Sequence, residues 1–236
     1  MSDVVSIYGN RDPREVPLYT VGQAAAYLHV PVSTVRAWCV GAAYPRARGR
    51  TGRFRPLLKL SKGSPARLTF NNLIEAYVLS VMRKLHHVPL GAIRRALANV
   101  TEQTGLERPL LSIPFETDGS RLYWEELGKL IEASTGRGRQ LAMRAVMKGL
   151  KRIERDEHGV AVGLFPFVND VDEPHVVSID PRRSFGRPTL QGTGVTVDIV
   201  ADLVRAGERP EAVAREFGVS KDAVNRAVSW QRHLAA

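Results

Sequence analysis

The chain has 236 residues, of which 44% are hydrophobic and 25% are charged, so it is long enough for two or three domains with buried cores. This composition excludes a wholly disordered chain, and no apolar run approaches the roughly 18 residues that a membrane span needs. The first residues lack the basic start and apolar run of a signal peptide, and Cys39 is the only cysteine. These features predict a cytoplasmic protein without a disulfide framework or a thiolate metal cluster.

The net charge of +10 is confined to one half of the chain. Residues 1–60 carry a net charge of +6 and residues 61–110 carry +4, whereas residues 111–170 and 171–236 are each neutral. A one-sided excess of this kind is typical of a polyanion-binding segment joined to a neutral one. Chance clustering of basic residues is the alternative.

Residues 19–38 show the pattern of two short helices joined by a break. Thr20 and Gln23 are spaced as a capping box that begins a helix, and Pro31 lies where this helix must have ended. A second helix is predicted from about Val32 to Val40. The pattern is that of a helix-turn-helix, whose second helix enters the major groove of DNA.

The first turn of the second helix carries side chains that are suited to DNA. Hydroxyl groups can contact phosphates or base edges, and an arginine can fork onto guanine or onto a phosphate. The candidate DNA-binding residues of this helix are therefore Ser33, Thr34 and Arg36. Val35 and Trp38 lie three positions apart and are predicted to face the core.

The basic segment at 41–56 follows this helix and is interpreted as a loop that can fold into a hairpin wing. Its arginines are further DNA-binding candidates: Arg46, Arg48, Arg50, Arg53 and Arg55. A flexible basic loop beside a recognition helix can follow a phosphate backbone or enter a minor groove. A solvated loop without a partner is the alternative.

The middle of the chain combines helices with short strands. The apolar spacing predicts helices over 71–87, 92–100 and 139–155. Strand candidates occur within 105–124, at 161–168 and at 175–179.

Three helices are predicted near the carboxyl terminus, at about 197–206, 210–217 and 221–233. Gly218 stands just past the second of them, and Ser220 caps the third, so the pattern is again helix-turn-helix. The segment is neutral, however, and an acidic residue lies on the leading turn of its last helix. We therefore interpret this unit as a protein-contact or dimerisation unit, with a second DNA reader as the alternative.

These elements together predict a mainly α fold with a small α+β middle. The predicted domains are a winged helix-turn-helix with its following helices at 1–104, a small α+β region at 105–170 and a three-helix domain at 171–236.

No catalytic constellation is recognisable in the sequence. His86 and His87 are adjacent on a predicted helix and point about 100° apart, so they cannot easily share a metal ion. Gly192 and Gly194 flank a threonine but lack the strand and helix of a nucleotide-binding loop. The sequence therefore predicts a protein that is not an enzyme and that has no catalytic residue, metal ligand or cofactor.

Residues 18–55 resemble the MerR-like helix-turn-helix, whose second helix often has the sequence Ser-Thr-Val-Arg-x-Trp, as residues 33–38 do here. One departure is Pro31, which stands where Ser or Thr usually caps that helix, so the side-chain cap is lost.

Residues 179–230 are similar to a small family of unknown function. The pattern is Gly-Arg-Pro at 186–188, Gly-Thr at 192–193 and then three helices. A basic residue often follows the Gly-Thr pair in that family, whereas this chain has Gly194. This difference weakens a nucleic-acid role for that loop.

The order of these segments resembles a VapB-type antitoxin of a type II VapBC toxin–antitoxin pair. The resemblance implies a protein that neutralises a PIN-domain ribonuclease toxin of the VapC type by direct binding and represses its own operon at promoter DNA. A homodimer is expected, because one helix-turn-helix offers few base contacts. The alternative is a free-standing MerR-like transcriptional regulator whose carboxyl-terminal half senses a ligand or dimerises.

If the protein is an antitoxin, its neutral half is expected to contact the toxin. A PIN-domain ribonuclease gathers carboxylates around metal ions, and an arginine forks onto carboxylates. The candidate toxin-binding residues are Arg137, Arg139, Arg182, Arg183 and Arg187.

Overall fold

A computed structural model describes residues 8–45, 51–60, 67–86, 90–111, 148–170 and 172–234. In these residues α-helices are combined with short strands, and each sheet is one antiparallel pair. The predicted mainly α fold with small α+β elements is confirmed. None of the described helices is both long and apolar enough to cross a membrane.

The first helix-turn-helix forms as predicted. Helix α1 spans Val21–Tyr27 and helix α2 spans Val32–Val40. The capping box is present, because the Gln23 backbone N–H donates to the Thr20 hydroxyl at 3.1 Å and the Thr20 N–H donates to the Gln23 side-chain oxygen at 2.9 Å. Helix α2 begins after Pro31 without a side-chain cap.

A β-hairpin follows helix α2, as the wing prediction requires. Strand β2 (Ala42–Pro45) pairs antiparallel with strand β3 (Thr51–Phe54). Beyond β3, the backbone N–H groups of Leu57 and Leu58 donate to the Trp38 carbonyl at 2.8 and 3.0 Å. These two bonds tie the end of the hairpin to helix α2.

Helix α3 (Phe70–His86) is the central element of the amino-terminal half, and every residue from 72 to 82 is buried. Before it, the short strands β1 (Tyr19–Thr20) and β4 (Arg67–Leu68) pair antiparallel. Helix α4 (Leu90–Thr104) follows. The sequence did not predict β1 and β4, because two-residue strands leave no periodic pattern.

The prediction of a helix over 139–155 is wrong at its carboxyl end. Residues 148–150 are helical, but Ile153–Arg155 form strand β5, which pairs with β6 (Ala161–Leu164). The buried Arg152 sets this geometry, because its guanidinium donates to the backbone carbonyls of Phe165 and Glu173 at 2.7 Å each. Such long-range bonds override a local helical pattern. Residues 139–147 lie outside the described part of the chain.

The carboxyl-terminal unit has the three predicted helices. They follow strands β7 (Val177–Ser178) and β8 (Thr189–Leu190), which pair antiparallel, and are α5 (Val197–Arg205), α6 (Pro210–Phe217) and α7 (Lys221–Leu234). Gly218 ends α6 in the left-handed conformation at φ 66°. The Ser220 hydroxyl accepts the Ala223 N–H at 3.1 Å and so caps α7.

The two helix-turn-helix units pack against each other through aromatic side chains. Trp230 of α7 lies 6.1 Å from Tyr27 of α1 and meets the ring of His29 edge-on at 5.6 Å, measured between ring centroids. Tyr27 and Trp230 belong to one buried apolar cluster. The buried core therefore includes residues from more than one of the predicted domains. The boundaries between those domains stay a prediction.

Candidate nucleic-acid interface

Helix α2 divides its side chains cleanly between core and solvent. Val35 and Trp38 are buried, as predicted. Ser33, Arg36 and Val40 are exposed and follow one another at three- and four-residue steps. This spacing places them on one face of the helix, so the unit presents a solvent-facing stripe that includes its first turn.

Arg36 is available for an external contact. Among the residues that the structure describes, its guanidinium has no hydrogen-bond or ion-pair partner. Thr34 is less accessible, because it is half-buried and lines a shallow cavity with Pro31, Trp38 and Arg83. Of the three candidates on α2, Ser33 and Arg36 are thus the better exposed.

The hairpin adds basic groups beside this helix. Arg53 of β3 and Arg55, just beyond it, are both exposed. The guanidinium of Arg94 on α4 donates to the Arg55 carbonyl, which holds the hairpin's outgoing strand against the helical layer. The other loop candidates, Arg46, Arg48 and Arg50, lie outside the described residues.

The structure also adds a basic residue that the sequence did not single out. Arg83, near the end of α3, is exposed and lines the cavity that Thr34 borders. Its sequence position is far from the helix-turn-helix, so only packing could show this proximity. The positive charge of residues 61–110 was the one signal that pointed toward it.

In the second helix-turn-helix, formed by α6 and α7, two basic side chains of α7 are paired with carboxylates. On α7, Lys221 pairs with Glu211 at 2.5 Å, and Arg226 pairs with Asp222 at 2.6 Å. Both of these basic groups are thus matched by a carboxylate. The resulting surface lacks the excess positive charge that phosphate binding requires.

The toxin-contact candidates that the structure describes also take part in ion pairs, in which the arginines are exposed but the Asp180 carboxylate is largely buried. The Arg182 guanidinium donates to both Asp180 carboxylate oxygens at 3.0 Å, and Arg183 lies 3.7 Å from the same carboxylate. Arg187 pairs with Asp198 at 3.4 Å. Arg137 and Arg139 lie outside the described residues.

The described residues hold no side-chain cluster that could bind a metal ion, and Cys39 is buried. In that part of the chain, no group of three or more His, Cys, Asp and Glu side chains lies close enough to hold a metal ion. Burial raises the pKa of the Cys39 thiol to about 11, so this cysteine stays protonated at neutral pH.

The fold and this surface define a helix-turn-helix protein. A family described as "Putative DNA-binding HTH domain" matches residues 17–97, and one described as "Protein of unknown function (DUF433)" matches residues 177–230. The helix-turn-helix and the carboxyl-terminal domain of unknown function that the resemblance implied are both confirmed.

A full-length relative then identifies the particular family. The protein named "Putative antitoxin VapB45" of Mycobacterium tuberculosis is 31% identical over 229 residues, which cover 91% of this chain and 93% of that protein. The chain belongs to the family of this VapB-type antitoxin.

Two further proteins of Mycobacterium tuberculosis share the arrangement. "Uncharacterized protein Rv2308" is 27% identical and aligns over 93% of this chain and 91% of its own length. The X-ray crystal structure of Rv2018 matches with a TM-score of 0.61 at 28% identity, covering 90% of this chain and 98% of that chain. The order of segments is thus shared over nearly the whole length.

Proposed function

We propose that this protein is the antitoxin of a VapBC pair, that it represses its own operon through helix α2 and the β2–β3 hairpin, and that it silences a PIN-domain ribonuclease by direct binding. It acts by binding and not as an enzyme. The observation that carries the DNA half of this proposal is the exposed face of α2, with Arg36 lacking a partner among the described residues.

The charge distribution supports the proposed DNA contact. The recognition helix and its hairpin lie in the half of the chain that holds the whole positive excess. Arginines at the hairpin follow phosphates, while Ser33 and Arg36 are placed to meet base edges. This is the MerR-like arrangement of a reading helix with a basic wing.

In this proposal the toxin binds to the neutral carboxyl-terminal half of the chain. The ion pair between Arg187 and Asp198 is exposed on both sides and is worth only about 0–1 kcal/mol, so a partner's carboxylate can replace Asp198 at small cost. The name of the VapB45 relative supports an antitoxin role, and the PIN-domain partner is our inference from that role.

The protein acts as a homodimer in this scheme. A single recognition helix reads few bases, and two copies spaced about 34 Å apart would read successive major grooves on one side of the duplex. Light scattering on the full chain, with and without DNA, measures this directly. A monomeric mass in both states would contradict it.

Fluorescence anisotropy with a DNA fragment that carries the promoter of the protein's own operon tests the DNA-binding part of the proposal. Arg36→Ala should weaken specific binding by about 1–3 kcal/mol, because the variant cannot form the forked bond to guanine. Arg215→Ala removes the same charge from an exposed position on α6 and serves as the matched control. Equal affinities for both variants and the wild type would overturn the assignment of α2.

Co-expression with the product of the adjacent reading frame tests the toxin half. The full chain should co-purify with a PIN-domain protein and suppress its ribonuclease activity, and Arg36→Ala should do both as well as wild type. A chain that neither binds nor inhibits that product would instead favour the free-standing regulator.

A further inference from the structure

An exposed aromatic side chain stands at the start of the carboxyl-terminal unit. Phe185 is 57% exposed, more than any other large hydrophobic side chain in the described residues. It lies in the loop formed by residues 180–187, which we call the 180–187 loop. A large apolar group left in water at such a position is a feature of interaction sites.

The backbone of this loop is held in an uncommon conformation. Ser184, Phe185 and Gly186 have successive φ values of 46°, 55° and 70°, a region that residues with a Cβ rarely adopt. A folded protein keeps such a conformation only where its surroundings enforce it, and these sites cluster where ligands or partners bind.

Several bonds fix the loop in place. The Ser184 hydroxyl donates to the Gly194 carbonyl at 2.9 Å, and the Tyr8 hydroxyl donates to the Pro181 carbonyl at 2.7 Å. The Tyr8 ring also meets Phe185 edge-on at 6.2 Å between centroids. The aromatic ring is therefore presented in a preset position, which lowers the entropy lost on binding.

Arginines surround this aromatic residue in the chain. Arg182, Arg183 and Arg187 have side chains 52–58% exposed, and they share the two carboxylates of Asp180 and Asp198. Aromatic residues and arginines are the two kinds of residue that most often dominate the binding energy of protein interfaces.

The charge of the loop favours a protein over a nucleic acid as the partner. Three arginines against two aspartates leave only a small positive excess, whereas phosphate binding needs several uncompensated cations. Arg187, whose pair with Asp198 is about half exposed on both sides, can exchange that carboxylate for one of a partner protein.

We propose that the 180–187 loop is an anchor for a protein partner, in which Phe185 fills an apolar pocket and the three arginines meet carboxylates at its border. This inference rests on the proposed function, because the partner is the ribonuclease that the antitoxin silences. It adds an apolar anchor to the proposed arginine contacts. Arginines that pair with the carboxylates of the ribonuclease's metal site would not by themselves require such an anchor.

The test measures binding of the full-length chain to the PIN-domain product of the adjacent reading frame. Phe185→Ala should raise the Kd for that protein by about 10- to 100-fold, as expected when a central aromatic anchor is removed. Affinity for the promoter fragment should stay unchanged. Val160→Ala truncates an exposed apolar side chain in the β5–β6 turn and should leave both affinities at the wild-type value.

A second variant separates binding from folding. Phe185→Gly relieves the positive φ, so it should raise the thermal midpoint while weakening the ribonuclease complex as much as Phe185→Ala does. Opposite changes in stability and affinity are the result expected of an anchor whose conformation is strained for binding.

Three results would overturn the inference. If wild type binds the ribonuclease and both Phe185 variants bind it equally well, the anchor is wrong while the proposed function stands. If Phe185→Ala leaves that complex intact but weakens binding to a labelled oligothymidylate, the loop is a nucleic-acid surface. If wild type does not bind the ribonuclease, the proposed function fails and the inference fails with it.

Discussion

The two helix-turn-helix units of this chain differ in how they use the exposed face of their second helix. On α2, Arg36 is solvent-facing and has no partner among the described residues, whereas on α7 Lys221 and Arg226 are each paired with a carboxylate. Similar backbones therefore present a basic surface in one unit and a neutral one in the other. In the proposed function, this difference in charge pairing, more than the helical geometry, is what assigns DNA binding to the first unit and a protein contact to the second.

The units also differ in what covers them. Trp230 of α7 is buried against the first unit, where it meets Tyr27 and His29, while the exposed stripe of α2 stays in solvent. The second unit thus supports the first through α1 and leaves the reading helix accessible. Substitutions that change either the packing between the units or the exposed face of α2, but not both, can test this difference.

The largest expected effect comes from removing the packing between the units. Trp230→Ala should lower the free energy of unfolding by about 3–5 kcal/mol, because a buried indole leaves a cavity where α7 meets α1. Chemical denaturation of the full chain measures this, with Val160→Ala as the exposed control that should stay within about 0.5 kcal/mol of wild type. A Trp230 variant as stable as that control would show that the units do not depend on each other.

A smaller effect is expected where the 180–187 loop packs against the side chain of Tyr19. A Cβ on Gly186 would overlap the Tyr19 hydroxyl, and this glycine has φ +70°. Gly186→Ala should therefore cost about 1–3 kcal/mol in backbone strain and overpacking.

Gly192→Ala is the matched control for that substitution. Gly192 has φ +78°, but a Cβ there would meet nothing within 4 Å, so only the backbone strain applies. The difference between the two unfolding free energies isolates the packing against Tyr19. Equal reductions in stability would mean that this packing is not tight.

The smallest expected effect concerns helix capping, in which the two second helices differ. Ser220→Ala should reduce stability by about 1 kcal/mol, because it removes the hydroxyl that accepts the Ala223 N–H. Ser33→Ala lies within α2, which has no side-chain cap, and should leave the unfolding free energy nearly unchanged. Thermal denaturation of both variants compares them, and a larger reduction for Ser33→Ala would contradict this assignment.

Local signals in the sequence predicted most of the helical framework. The capping box of Thr20 and Gln23 and the Ser220 cap each depend on residues within one helical turn, so spacing was enough to find them. Helical periodicity predicted in the same way that Val35 and Trp38 face the core while Arg36 faces solvent.

The features that the sequence did not predict depend on distant contacts. Strand β5 replaces a helix because Arg152 bonds to carbonyls beyond the next strand, and Arg83 approaches α2 only through packing of α3. The positive φ values of Ser184 and Phe185 also left no signal, since neither residue type favours that conformation. Tertiary structure was needed for each of them.

The salt dependence of promoter binding tests the difference between the two units most directly. Arg53→Ala combined with Arg55→Ala should reduce the log–log slope by up to about two units, at roughly 0.9 for each phosphate that is no longer neutralised. The matched pair Lys221→Ala with Arg226→Ala removes the same charge from α7 and should leave the slope at the wild-type value. An equal reduction by the α7 pair, or an unchanged slope for the hairpin pair, would contradict the assignment of DNA binding to the first unit.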